Sequence, residues 1–386
     1  MYTRLLEVPD GSFFLFGPRG TGKSTWLRQR LPRAHWFDLL RLPLVLEVTR
    51  RPETFRSRIE ALPKGTWVVV DEVQRMPALL DEVHALLAEH GKRYRFALSG
   101  SSARKLRRLD VNLLAGRAVT RQFFPLTAAE LDYDFELDEL LATGCLPMVR
   151  SEPQSAIDIL DAYVSTYLRE EVQQEALTKD SAGFHRFLEV AALCNGQAVN
   201  VAGVARDAGV ARPTVSRHFD ILVDTLLGFW LPAWRPRARI KEVQQPKFFL
   251  FDPGVARGLA GRLREPLEYP ERGALMETLV LHELRAAINF QNLGGTLSYW
   301  RTPSGSEIDF VWERGKRRVG FEVKAGNRWR SEFGRALAEL KKEGQLTAAF
   351  GIYAGKVRLR ERDVTVLPFS DFARELAAGR VLAPAS

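Results

Sequence analysis

The stretch SFFLFGPRGTGKSTWLRQRL, Ser12 to Leu31, narrows the fold of this chain more than any other. A short apolar strand runs into a glycine-rich turn and then a helix, with Gly17, Gly22, Lys23 and Ser24 at the spacing G-x-x-x-x-G-K-[ST]. Glycines in such a turn let backbone N–H groups close around phosphate oxygens, and the start of the helix adds its partial positive charge. Gly17, Pro18, Arg19, Gly20, Thr21, Gly22, Lys23, Ser24 and Thr25 are therefore the expected cradle of a nucleotide. Within it Lys23 is placed to reach the β and γ oxygens, and Ser24 to hold magnesium.

A second strand, GTWVVVDEVQ, ends in Asp71 and Glu72 after four apolar residues, as a buried parallel strand does at the ligand edge of a sheet. Asp71 suits magnesium bound through water, and Glu72 suits polarising the attacking water. A third strand, YRFALSGSS, carries Ser99 at its end, where a small polar group can sense the γ-phosphate. ATP and Mg2+ are the expected cofactors, and a parallel α/β sheet the expected frame.

The order of these elements resembles the AAA-type ATPases, in the branch whose short ATPase module is followed by LLAGR and PLT segments, here Leu113 to Arg117 and Pro125 to Thr127. That resemblance implies an arginine after the sensor strand that acts on the γ-phosphate, in its own subunit or across an interface. Arg117 is the carry-over, with Arg121 second. A finger acting across an interface implies a homo-oligomer, a ring of six by the same resemblance.

At 386 residues the chain exceeds one ordinary core, so two or three domains are expected. No apolar run approaches the roughly 20 residues of a membrane helix, and MYTRLLEVPDGS lacks the apolar stretch of a secretory signal. A cytoplasmic location without a membrane partner follows as the expectation. Cys145 and Cys194 stand far apart without a histidine cluster, which signals neither a disulfide framework nor zinc. The formal charge of +9 favours an anionic partner, and its clustering in SARKLRRLDVNLLAGRAVTR, RPRARIKEVQQPK and ERGKRRVGFEVKAGNRWR points to nucleic acid.

From about Ala128 to Leu177 apolar residues recur at helical spacing, as expected of a lid and connector; LATGCLPMVR within it shows no chemistry. VNVAGVARDAGVARPTVSRHFDILVDTLLGFWL then reads as two short helices broken at Gly209, the second carrying Thr214, Ser216, Arg217 and His218. That is a helix-turn-helix pattern, with His218 expected at the surface or a helix end. The following WLPAWRPRARIKEVQQPKFFLFD suits a two-stranded basic wing, in which Arg235, Arg237, Arg239 and Lys241 would meet phosphates. A winged helix of this kind serves DNA or a subunit contact.

The last segment supplies a helix, GALMETLVLHELRAAINF, a strand, TLSYWRT, and the hairpin SEIDFVWERGKRRVGFEVKAG. Residues two apart on a strand share a face, so the Glu322 carboxylate and Lys324 ammonium project together while Val323 points away. An acidic helix residue, a strand aspartate and a Glu-x-Lys strand resemble the PD-(D/E)xK nuclease core shared by restriction endonucleases and archaeal Holliday-junction resolvases. The resemblance implies that Asp309 and Glu322 hold magnesium or manganese, that Lys324 orients or deprotonates the attacking water, and that Glu277 completes the shell.

The expected architecture is α/β: an AAA-type ATPase core over residues 1–127, a helical lid and connector over 128–180, a winged helix over 181–262 and a restriction-endonuclease-like domain over 263–386. The expected function is ATP hydrolysis coupled to binding and processing of branched or damaged duplex DNA. A rival is a signalling or antitoxin-like ATP switch whose C-terminal fold only binds. Metal-dependent cleavage and salt-sensitive DNA affinity separate the two.

Overall fold

The computed structural model describes residues 2–101, 116–168, 180–235 and 245–382. The chain divides into two compact units, one of Arg4–Phe124 with Asp224–Leu226, the other of Pro125–Val223 and Leu227–Ser386 with Met1–Thr3. Among the described residues no helix is long and apolar enough to cross a membrane.

The first unit is built on β1 (Phe13–Phe16), β2 (His35–Asp38), β3 (Trp67–Asp71), β4 (Arg95–Gly100) and β5 (Val119–Gln122). They are parallel throughout, in the order β2-β3-β4-β1-β5. A parallel sheet is covered on both faces, which is why FFLF and WVVVD are near-continuous apolar runs rather than alternating ones. Phe13, Phe14, Leu15, Val68, Val69 and Val70 are fully buried. At about 1.5–3 kcal/mol per side chain, that burial fixes the edge from which the polar residues project. Because β4 lies between β1 and β3, the residue ending β3 and those ending β4 stand beside the loop that leaves β1.

In the second unit the main apolar core runs from Leu126 to Leu382, and a smaller one gathers Trp300, Ile308, Val311, Leu337 and Leu340 on the other face of the C-terminal sheet. The helix Leu137–Thr143 ends at Gly144 with φ 73°, a left-handed position that glycine adopts without steric cost. The Asp252 carboxylate accepts the Cys145 N–H at 2.7 Å and caps the helix Pro253–Leu259 through the Val255 N–H at 3.0 Å. A Cβ on Gly144 would overlap that carboxylate. The turn in LATGCLPMVR is thus a joint between helices. Gly144→Ala should cost roughly 2–4 kcal/mol by combining a strained φ with a buried clash, as read by denaturant unfolding; a loss within about 0.5 kcal/mol would dismiss the joint.

The helix Tyr269–Phe290 is the long element of this unit. Its Glu283 accepts the Ala128 N–H at 2.7 Å, and its His282 Nε2 lies 3.0 Å from the Leu126 carbonyl. Burial pushes Glu283 up to about 8 against the opposing pull of the Ala128 bond. A carboxyl that keeps its proton in the folded state but releases it when unfolded makes stability fall as pH rises from its ordinary value to the folded one. Glu283→Gln should flatten that decline between about pH 5 and about pH 8, by up to roughly 1.4 kcal/mol per pH unit in the slope. Parallel stability profiles of the two proteins would refute this.

Two helices, Val201–Ala208 and Arg212–Asp224, are separated by Gly209 at φ 64°. Asn200 caps the first through the N–H groups of Ala202 and Gly203. They adjoin a three-stranded antiparallel sheet of β6 (Gln197–Ala198), β7 (Gly228–Leu231) and β8 (Lys247–Leu250), in the order β6-β8-β7. Arg237, Arg239 and Lys241 lie outside the described residues. His218 departs from the surface or helix-end position expected of it: it is fully buried in the middle of its helix, with its ring 4.9 Å from those of both Phe184 and Phe187. Val215, His218, Phe219 and Leu222 recur at helical spacing and form one inward stripe, so the imidazole follows the apolar face. Burial pushes its pKa down to about 4.

The C-terminal sheet comprises β9 (Thr296–Arg301), β10 (Glu307–Arg314), β11 (Arg317–Lys324), β12 (Ala348–Tyr353), β13 (Leu359–Glu361) and β14 (Val364–Pro368). Its order is β13-β14-β12-β11-β10-β9, mixed parallel and antiparallel. On β11, Val319, Phe321 and Val323 join the core shared with the helices Tyr269–Phe290 and Phe369–Ala377. Gly320, on the other face, approaches Leu337 of the helix Arg335–Lys342, so Glu322 and Lys324 emerge on that face too. On β10, Ile308 pairs with Trp300 and Val311 with Ser298. Three steps on one strand against two on its neighbour make a bulge at Asp309 and Phe310, a device that re-aims a side chain.

Candidate functional site

In the first unit β1 delivers Gly17, and the helix Lys23–Arg30 starts directly after Gly22 at φ 91°. Gly20, at φ 79°, permits the intervening turn. A Cβ on Gly17 would overlap the Phe123 carbonyl, so the loop packs against the strand exit beside it. The Thr21 hydroxyl donates to the Pro18 carbonyl at 2.7 Å, and Arg4 donates to the Thr21 carbonyl at 2.7 Å. Lys23 Nζ donates to the carbonyls of Gly17 at 2.8 Å and Pro18 at 3.1 Å, which aims the ammonium into the mouth of the loop. Ser24 follows it on the first turn, partly buried, while Arg19 and Thr25 are exposed.

Asp71 ends β3 and accepts a hydrogen bond from the Ser99 hydroxyl of β4. The next residue, Glu72, has a left-handed φ of 59° and receives the Gln74 side-chain amide. Gln74 also donates to Ser101 at 3.0 Å. A non-glycine residue held at positive φ is backbone strain stored where a polar group must be aimed. The structure thus brings Asp71, Glu72 and Ser99 to the same sheet edge as Lys23, Ser24 and the loop. Gln74 and Ser101, which orient Glu72, were not singled out from the sequence; both lie within the two quoted strand ends.

Arg117 is not brought to this edge. It precedes Val119, which pairs with Phe13 at the start of β1, whereas the loop follows Phe16 at the strand's other end. Its guanidinium instead lies 2.9 Å from His84 Nε2. At about 3.3 Å of rise per residue, the sheet places it beyond reach of a γ-phosphate in its own chain. Arg121, opposite Leu15, donates to the Thr120 carbonyl at 3.3 Å.

In the second unit a cleft of about 730 Å³ gathers the hairpin acids. Glu277 comes from the long helix, Asp309 from the bulge of β10, and Glu322 and Lys324 from β11. Asp309 Oδ2 accepts the Val323 N–H at 2.7 Å, locking β10 to β11 at the site. Lys324 Nζ pairs with Glu322 Oε1 at 2.5 Å and lies 5.4 Å from the Phe333 ring. The Oε2 atoms of both Glu277 and Glu322 are buried without a hydrogen-bond partner.

Two residues that sequence reasoning did not single out complete the cleft. Lys247, at the start of β8, is 5% exposed and reaches Glu307 Oε1 at 2.5 Å and Glu277 Oε2 at 3.6 Å. Glu307 stands two positions before Asp309 in the same hairpin and could have been found there. Lys247 looks in sequence like any lysine ahead of an apolar strand. Burial, then Asp309, pushes Glu277 up to about 8 against the pull of Lys247. Glu322 is raised well above the carboxylate range by burial and Asp309. Burial opposes the charge on Lys324, but Glu322 and Asp309 outweigh it and raise its pKa.

Whether these residues suit a divalent ion turns on charge and donor set. The cleft is lined by six acids, Glu277, Glu307, Asp309, Glu322, Glu332 and Glu339, against four basic residues, Lys247, Arg301, Lys324 and Arg335. An acidic, oxygen-lined site with two buried carboxylate oxygens unsatisfied fits a hard dication. The three carboxylates Glu277, Asp309 and Glu322 do not all converge within 4.8 Å. Among the described residues Glu60, Glu89 and His90 do, and Arg56 already pairs with both of those glutamates, at 3.3 and 2.7 Å.

Residues 10–132 match the family described as AAA domain. The N-terminal unit carries a P-loop ATPase-like AAA domain. Beyond the AAA domain, residues 134–265 match Domain of unknown function DUF8612 and residues 272–372 match Domain of unknown function DUF4143. An uncharacterized protein of Mycobacterium tuberculosis and one of Mycobacterium bovis are each 29% identical over 304 residues, 78% of this chain and 67% of theirs. Among solved structures, the Aeropyrum pernix Orc1 protein in complex with DNA is similar at 14% identity and TM-score 0.25, covering 66% of this chain and 87% of that one. The Bacillus subtilis DNA clamp loader delta protein is similar at 12% identity and TM-score 0.24, covering 70% and 95%.

Proposed function

We propose that this chain hydrolyses ATP at its AAA domain and, in the cytoplasm, binds and processes branched or damaged duplex DNA through the acidic cleft. The observation that carries the DNA reading is the pair of buried, unsatisfied oxygens on Glu277 and Glu322 beside Asp309 and Lys324. A cleft with more acids than bases repels a phosphodiester until a dication is bound. Asp309 and Glu322, with Glu277, would hold magnesium or manganese, which on binding supplies charge neutralisation at phosphorus and an activated water. Lys324 would hold that water's orientation from the β11 side. The AAA domain would take ATP with Mg2+, through Lys23, Ser24 and Asp71.

On this reading the segments 128–180, 181–262 and 263–386 act as helical lid and connector, winged helix and nuclease-like domain. Arg212, Ser216 and Arg217 are exposed on the helix that would meet the duplex. The location of Arg117, at the sheet end away from its own nucleotide loop, favours a finger used on a neighbouring subunit and hence a homo-oligomer, a hexameric ring by resemblance.

The test is purified protein with branched, duplex and single-stranded DNA, with and without ATP and Mg2+ or Mn2+. Metal-dependent nicking and salt-steep binding are expected; tight binding without cleavage under any metal rejects the nuclease role. One observation favours the second reading, an ATP-dependent signalling or antitoxin-like switch with an idle nuclease fold: Glu322 and Glu307 are already paired with internal lysines.

A further inference from the structure

Lys247 has no catalytic or metal-holding role in the proposed function, yet it is the most deeply placed cation of the cleft. It belongs to the three-stranded sheet that follows the helix pair, not to the hairpin, and it enters the acid cluster from β8. Its ammonium touches Glu307 at 2.5 Å and stands 3.6 Å from Glu277, too long for a hydrogen bond, and 5.2 Å from the Tyr299 ring. The Glu277 oxygen facing it is one of the two left without a hydrogen-bond donor.

A buried lysine whose partners are shared with a candidate metal site is an internal counter-cation. It offsets part of the cost of burying like charges when no metal is present, and it repels any dication that arrives. We propose that Lys247 is a latch on the acidic cleft: its ammonium occupies part of the cation-binding space, and a divalent ion binds tightly only as the ammonium withdraws toward β8. The inference rests on the proposed metal reading and adds its regulation. Because β8 is the central strand of the sheet β6-β8-β7, a shift of that sheet changes the metal affinity of a site built from the helix Tyr269–Phe290, β10 and β11. A ligand that displaces the sheet would therefore arm the cleft, and one that seats it would disarm it.

The experiment is calorimetric titration of Mn2+ into the full, nucleotide-free chain at fixed pH and salt, for wild type, Lys247→Met, Lys247→Gln, Lys247→Arg and Asp309→Ala. Binding lost in Asp309→Ala defines the cleft site. Lys247→Met and Lys247→Gln, with wild-type ATPase rate and circular dichroism as folding controls, should tighten that site by at least about tenfold. Lys247→Arg, which keeps the charge, should not tighten it. Unchanged or weaker affinity in the neutral variants overturns the latch while leaving the metal site standing, and so does tightening in Lys247→Arg should the neutral variants not fold. Absence of Asp309-dependent binding in every protein overturns the metal reading and the latch together.

Discussion

Lys23→Ala should lose ATP hydrolysis by at least about a hundredfold, with nucleotide affinity falling alongside. The side chain supplies the point charge that the loop aims at the β and γ oxygens, and in the structure that charge is held by the Gly17 and Pro18 carbonyls at the loop's mouth. Alanine leaves those carbonyls facing phosphate with nothing between them. Glu72→Gln should separate binding from chemistry: it keeps shape and the neighbouring Gln74 and Ser101, but removes the negative charge that would polarise water on the proposed reading. Equilibrium binding of a fluorescent ATP analogue should be nearly unchanged while turnover drops by a similar hundredfold. Wild-type turnover in Glu72→Gln would move the general-base role to another group.

The second large effect belongs to the cleft. Asp309→Ala should abolish nicking of a branched duplex in Mn2+ and leave ATP hydrolysis nearly intact, because the two sites occupy separate compact units. Part of that loss would be structural, since the Asp309 carboxylate also receives the Val323 N–H; Asp309→Asn, which keeps an acceptor, distinguishes the two. Lys324→Ala should retain Mn2+ binding, even tighten it, and fail in cleavage. Cleavage at the wild-type rate without Lys324 would leave its pairing with Glu322 as a structural ion pair alone.

The nucleotide loop was legible in sequence because every group it needs lies within a dozen or so residues, and because parallel strands betray themselves as unbroken apolar runs. The ends of β3 and β4 were legible for the same reason. What sequence could not show is the strand order, which decides that Ser99 bonds to Asp71 and that Arg117 falls at the far end of the sheet. In the cleft, alternation along β11 correctly placed Glu322 and Lys324 on one face. Alternation could not place Asp309, because the bulge beside it breaks the two-residue period. His218 is a polar residue on an apolar stripe, and the helical spacing of Val215, Phe219 and Leu222, rather than its polarity, decides that it points inward. Lys247 was out of reach altogether, since nothing local links it to acids that lie 30 or more positions later.

The continuous core of the second unit has a practical consequence for anyone cutting this chain. A fragment beginning at the long helix would carry Glu277, Asp309, Glu322 and Lys324, and would look like a self-sufficient catalytic piece. It would lack Phe248, Phe249 and Phe251, which are buried in the same core, and the Asn195 side chain that joins Leu250 to Thr278 through bonds of 2.8 Å each. Such a piece exposes an aromatic-lined scar and presents its acids without their buried lysine. Activity, or its absence, in a truncated protein would therefore report on an object stripped of that lysine and of part of its core, and the informative boundary for dissection lies at the Phe124–Pro125 junction, where the chain passes from the first compact unit into the second.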